Sequence, residues 1–146
     1  MRAVVQRVAR AAVVIDGKVV GSIGPGLLAF VGIRRGDDDA AARWLCDKLL
    51  RLRVFDDGEG KMNRNVEEAG GGILLVSQFT LYGDVRKGNR PGFDEAASPQ
   101  EAEPLYDRMV AYLQEISPVP VASGRFRAEM AVELVNDGPV TILLER

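Results

Sequence analysis

The chain has no histidine in its 146 residues, and that absence removes more chemistry than any other feature of its composition. Ser-His-Asp and Cys-His nucleophilic arrangements are excluded, and the imidazole ligands on which zinc sites rely are missing. No metal site and no cofactor are expected. The single cysteine, Cys46, has no partner for an intramolecular disulfide and no histidine to activate it, so it reads as a small residue within a helix. No apolar run approaches the ~20 residues that cross a bilayer, and no cleavable signal segment is apparent. These absences predict a cytoplasmic protein with no membrane partner. The net charge of -2 provides no basic surplus for coating nucleic acid, so DNA is not an expected partner and any RNA contact must be local.

What is present is 47% hydrophobic residues, enough for a core without disulfides in one domain spanning residues 1–146. Residues 2–8 and 11–15 read as strands of an opening hairpin or meander, with Asp16-Gly17-Lys18 turning into Val19-Val20. Leu27 to Ile33 is a continuous apolar run, expected as a central strand buried on both faces. A helix is predicted over 38–52, with N-cap candidates among Asp37 to Asp39. The polar loop at 56–63 has an acidic pair but lacks the ligand pattern of a calcium loop. Ser98-Pro99-Gln100-Glu101 is a capping box with proline at the first helical position, and apolar residues follow at helical spacing to Ile116. Val119 to Ala122 returns extended, and 132–135 and 140–144 read as two strands joined by a turn. Two main helices among about six or seven strands predict an α+β layered fold.

Two stretches point to chemistry. At Val76-Ser77-Gln78-Phe79-Thr80-Leu81 a buried strand ends in hydroxyl, amide and backbone N–H groups on a rigid support. Near the C-terminus, Asn136-Asp137-Gly138-Pro139 interrupts an apolar stretch; the pattern alone fits a plain turn, and X-Pro bonds of this kind can be cis. The Ser-Gln-Phe-Thr and Gly-Pro motifs together, with Met1 to Val8 and Lys87-Gly88-Asn89-Arg90-Pro91, resemble the D-aminoacyl-tRNA deacylases, which remove D-amino acids wrongly esterified to tRNA. That resemblance runs over the whole chain. It implies a layered β-β-α sandwich or partly closed barrel, assembled as a homodimer that acts on the aminoacyl-tRNA 3′ end.

The resemblance also implies site residues. Ser77, Gln78, Phe79 and Thr80 would form the catalytic segment, with the backbone N–H groups of Gln78 and Phe79 stabilising the oxyanion. Without a base to activate a Ser77 or Thr80 hydroxyl, the free ribose hydroxyl beside the ester is the expected assistant to water. Gly138-Pro139 of one subunit would enter the site of the other and exclude L side chains, leaving glycyl-tRNA cleavable. Arg7 would hold that turn, although a strand residue at this place can equally face solvent. Phe126 and Met130 would contact the terminal adenine, and Lys87 and Arg90 the phosphates; ordinary core and a solvated loop are the competing readings. Arg127 stands where the family pattern carries a small residue. A non-catalytic module that binds RNA ends is the alternative function.

Overall fold

Asp16 and Gly17 both take positive φ, 50° and 74°, in a two-residue turn that suits the right-handed twist of paired strands. It folds β2 (Lys18–Ile23) back on β1 (Arg2–Ile15) in the computed structural model, which describes residues 1–146. β1 is one 14-residue strand rather than the two segments expected. Ala3 and Val5 are buried in one core and Val8, Ala11 and Val13 in the other, so the alternation slips by one residue between Val8 and Ala11. At that slip β1 passes from one neighbour to another. Its first half pairs antiparallel with β3 (Gly26–Gly32), and its second half pairs with β2.

The central position predicted for the Leu27 run is confirmed, because β3 lies between β1 and the parallel strand β6 (Gly72–Ser77). β4 (Phe55–Asp56) and β5 (Met62–Arg64) make a small separate hairpin. There Asp57 accepts hydrogen bonds from the Glu59 N–H at 2.8 Å and from the Asn63 amide at 2.6 Å, so its carboxylate closes its own turn. β7 (Val121–Ser123) joins β6 in parallel and brings the sheet round to β2. A Cβ on Gly21 would lie 2.6 Å from the Ser123 carbonyl oxygen, a contact that only glycine avoids. The fold is therefore α+β, with a mixed sheet curled into a nearly closed barrel.

Alternate side chains of β3 and β6 enter two different cores. Leu28, Leu74 and Val76 point into the barrel with Val8, Ala11 and Val13. Leu27, Ala29, Val31, Ile73 and Leu75 face outward and are covered by two helices. The first, α1 (Asp39–Arg51), is capped by Asp38, whose carboxylate accepts the Ala41 N–H at 2.9 Å, and buries Ala41, Ala42, Leu45, Cys46 and Leu49. Asp37 instead pairs with the Met1 ammonium at 2.8 Å. The second, α2 (Pro99–Ile116), starts at the predicted capping box: the Ser98 N–H and hydroxyl both donate to Glu101, at 3.0 and 2.8 Å. Burying each Leu of this layer contributes about 1.5–3 kcal/mol, so the outer core anchors the barrel wall on which the site is built.

The two C-terminal strands expected around a Gly-Pro turn are a single strand, β8 (Ala131–Glu145), antiparallel to β1 along its length. Asn136 pairs with Val8 and Thr141 with Gln6, leaving residues 137–140 opposite Arg7 alone. The Gly138-Pro139 peptide is cis. The chain does not reverse because the Asn136 side-chain amide donates to the Arg7 carbonyl at 3.1 Å and the Val140 carbonyl at 3.0 Å, closing the excursion as a bulge.

Candidate active site

β6 ends at Ser77 with its last ladder bond donated by the Gln78 N–H to the Val31 carbonyl, at 2.7 Å. The chain then tightens into a 3-10 turn over Phe79–Tyr82, whose first internal bond runs from the Leu81 N–H to the Gln78 carbonyl. The opening N–H groups of such a turn have no partner inside it. The expected donor pair is corrected accordingly: the Gln78 N–H is occupied, and the free-facing donors begin at Phe79. The Gln78 side-chain amide donates to the Thr80 hydroxyl.

Above this strand end lies a cavity of about 630 Å³. Ser77, Gln78 and Phe79 form one side, and Phe126 and Met130 another. A third wall, Phe93 and the start of α2 from Ser98 to Ala102, was not recognised as part of the site from the sequence. It is held there by the Ala97 N–H donating to the Ile33 carbonyl at 3.0 Å and by an edge-on contact between the Phe79 and Phe93 rings, 5.0 Å apart. The available signal was the helix start directly after an aromatic-bearing loop. Eleven of the sixteen lining residues are hydrophobic, and Arg127 is the one charged side chain among them. The cavity thus contains no carboxylate, imidazole or amine to act as general base.

Beneath the cavity, the Tyr106 hydroxyl donates to the Leu75 carbonyl at 3.0 Å, and burial pushes that phenol well above its usual range. Its ring packs against Phe126, with centroids 5.9 Å apart. Cys46 is buried on the far side of the sheet's outer core, where desolvation raises its thiol to about 12. Both residues are structural, which for Cys46 is the reading that the missing histidine and disulfide partner predict.

A family model described as D-Tyr-tRNA(Tyr) deacylase matches residues 4–145. The chain belongs to that family. It is 61% identical over 145 residues to a D-aminoacyl-tRNA deacylase of Symbiobacterium thermophilum, covering 99% of this chain and 95% of the relative. A D-aminoacyl-tRNA deacylase of Xanthomonas euvesicatoria is 57% identical over 99% of both chains. Among solved structures, one titled c-Myc DNA Unwinding Element Binding Protein superposes with a TM-score of 0.93 and 41% identity, covering 100% of this chain and 99% of its own. A probable eukaryotic D-amino acid tRNA deacylase shares the fold at a TM-score of 0.82 and 20% identity, over 98% and 97% of the two chains.

Within this deacylase-family chain, the remaining predicted site residues lie outside the cavity lining. Thr80 is exposed and does not line it. Lys87 and Arg90 sit on the exposed loop between Asp84 and Gly92, whose ends pair with each other. Arg86 of the same loop is engaged by Asp84 at 2.7 Å, which holds the Asp84 carboxyl down at about 2. Gly138 and Pro139 are likewise absent from the lining. Arg7 is turned to the bulge: its Nε donates to the Asp137 carbonyl at 3.2 Å and its Nη1 to the Val54 carbonyl at 2.6 Å.

Proposed function

We propose that the chain hydrolyses the ester of D-aminoacyl-tRNA, releasing free amino acid and tRNA. The observation that carries this reading is the cavity at the end of β6, apolar on most sides, edged by a strand-to-turn junction and empty of any general base. An ester of this kind has an alcohol leaving group, so the main demand is stabilising the oxyanion on the attacked carbonyl. The Phe79 N–H at the start of the 3-10 turn is the donor for it, and one such preorganised donor contributes about 2.7–4 kcal/mol. With no base in the cavity, the free ribose hydroxyl beside the ester orients and activates the attacking water. The reaction therefore requires RNA. Phe126 and Met130 offer apolar and stacking contact to the terminal base.

Chirality is read by the bulge of a second copy. Gly138 and Pro139 lie outside their own chain's cavity, which supports entry into a partner's site rather than their own. β8 also leaves one edge of the sheet open and exposes Leu143 and Val135, as a surface covered in a homodimer would. Backbone carbonyls of the bulge accept the substrate ammonium, and its bulk fills the volume an L side chain needs. Glycine has no side chain to exclude, so glycyl-tRNA is cleaved as well.

The test is deacylation of matched D-tyrosyl-, L-tyrosyl- and glycyl-tRNA without added metal. Release from the D and glycyl forms, with the L form intact, supports the reading. Equal loss of D and L forms leaves an ester hydrolase but removes the bulge as a filter. Binding without release from any of them turns the chain into an RNA-end binding module.

A further inference from the structure

Residues 125–128 form a tight turn, closed by the Ala128 N–H donating to the Arg125 carbonyl at 3.3 Å. Its third residue, Arg127, has φ 59°, a conformation that glycine takes freely and a long side chain rarely adopts. A guanidinium is thus kept where the backbone favours no side chain at all. It lines the cavity as its one charged group, remains exposed, and makes no hydrogen bond or ion pair within the chain. Retaining a strained backbone for an unpartnered cation points to a partner outside the chain.

We propose that Arg127 binds the 5′-phosphate of the nucleoside held in the cavity, which in an RNA substrate is the last phosphodiester before the ester-bearing ribose. The proposal rests on the ester-hydrolase reading and deepens it. The amino-acid end of such a substrate carries an ammonium, which a guanidinium repels, so Arg127 belongs to the opposite, phosphate end of the nucleotide. Its fork matches two phosphate oxygens, which a lysine point charge cannot do. The neighbouring Arg125 is also exposed but does not line the cavity, and it serves as a matched control.

The experiment compares D-tyrosyl-tRNA with D-tyrosyl-adenosine, which carries the same ester and base but no phosphate. For Arg127→Gly the ratio of kcat/KM on tRNA to that on the adenosine ester should fall at least about tenfold, with Arg127→Lys intermediate. The log–log salt slope on tRNA should flatten by about 0.7, the share of one single-strand phosphate. Arg125→Gly should keep the wild-type ratio. An unchanged ratio in Arg127→Gly, or an equal fall in Arg125→Gly, overturns the proposal. Calorimetric binding of adenosine 5′-monophosphate against adenosine tests it apart from catalysis: the nucleotide's advantage should vanish in Arg127→Gly, and its persistence refutes the assignment. Wild-type protein that cleaves neither ester but prefers the monophosphate through Arg127 would sink the hydrolase reading alone.

Discussion

Replacing Arg7 with alanine should cost about 3 kcal/mol and release the bulge that β8 carries. Three interactions are lost, and they are not equal. The ion pair to Asp137 Oδ2, at 3.2 Å, involves a carboxylate 58% exposed and contributes about 0–1 kcal/mol. The bond to the Val54 carbonyl matters more, since it is 2.6 Å long and Val54 is only 4% exposed. A hydrogen bond from a charged donor is worth about 1.5–3 kcal/mol, and this acceptor would be left buried without its partner. The 3.2 Å bond to the Asp137 carbonyl sits near the bottom of that range. For a chain of this length the unfolding entropy is about 0.3 kcal/mol/K, so the loss corresponds to a fall of about 10 °C in Tm. Thermal unfolding at one fixed protein concentration measures it, with D- and L-tyrosyl-tRNA deacylation run in parallel. Arg7→Lys keeps one charge but not the fork and should recover about half of the loss. A Tm within about 2 °C of wild type would refute the energetic ranking. A full Tm loss with the D/L ratio intact would refute the link between Arg7 and chiral selection.

Gly138→Ala puts a Cβ 2.6 Å from Arg7 Nη2 at a φ of 118°, costing about 1–3 kcal/mol locally; L-tyrosyl-tRNA hydrolysis should rise relative to the D form. Thr80→Ala should keep activity within about fivefold, because the hydroxyl is exposed and outside the cavity lining; a loss of about a hundredfold or more would identify it as a nucleophile. Cys46 should resist thiol reagents at pH 8 until the protein unfolds, as burial holds its pKa near 12 against an ordinary 9.0. Because the raised value favours the neutral thiol, its contribution to stability is full below pH 9 and declines as pH rises toward 12.

The elements that the sequence made legible are those with a local signature. The Ser98 capping box, the Asp16-Gly17 turn and the unbroken apolar run of β3 each encode their conformation within a few residues. β1 reads as two strands because its alternation slips between Val8 and Ala11, and only the change of neighbour from β3 to β2 gives that slip a meaning. The bulge in β8 was misread as a reversal for a similar reason. Asn136 and Arg7, 129 positions apart, decide whether the chain turns back, and no local pattern contains that pairing. In the site, Ser77 to Phe79, Phe126 and Met130 were named from their resemblance and do line one cavity. The wall from Phe93 to Ala102 has no chemistry of its own to betray it. It lines the cavity because Ala97 is tied to Ile33 across the strand end. The Gln78 N–H shows the limit of reasoning from a motif, since whether a backbone donor is free depends on where the adjacent ladder stops.

The pairing of β1 with β8 joins Arg2 to Glu145, so the first strand made waits for the last. During synthesis β2 and β3 can assemble on β1, and β6 on β3, while residues 131–145 are still being added, leaving fourteen residues of β1 with one unsatisfied edge. Such an edge is a template for any other extended chain, including a second nascent copy. Arrival of β8 closes it, and the bulge at 137–140 then interrupts the new outer rim so that it cannot be copied strand upon strand. The same four residues proposed to read the substrate would thereby also protect the growing protein from its own kind.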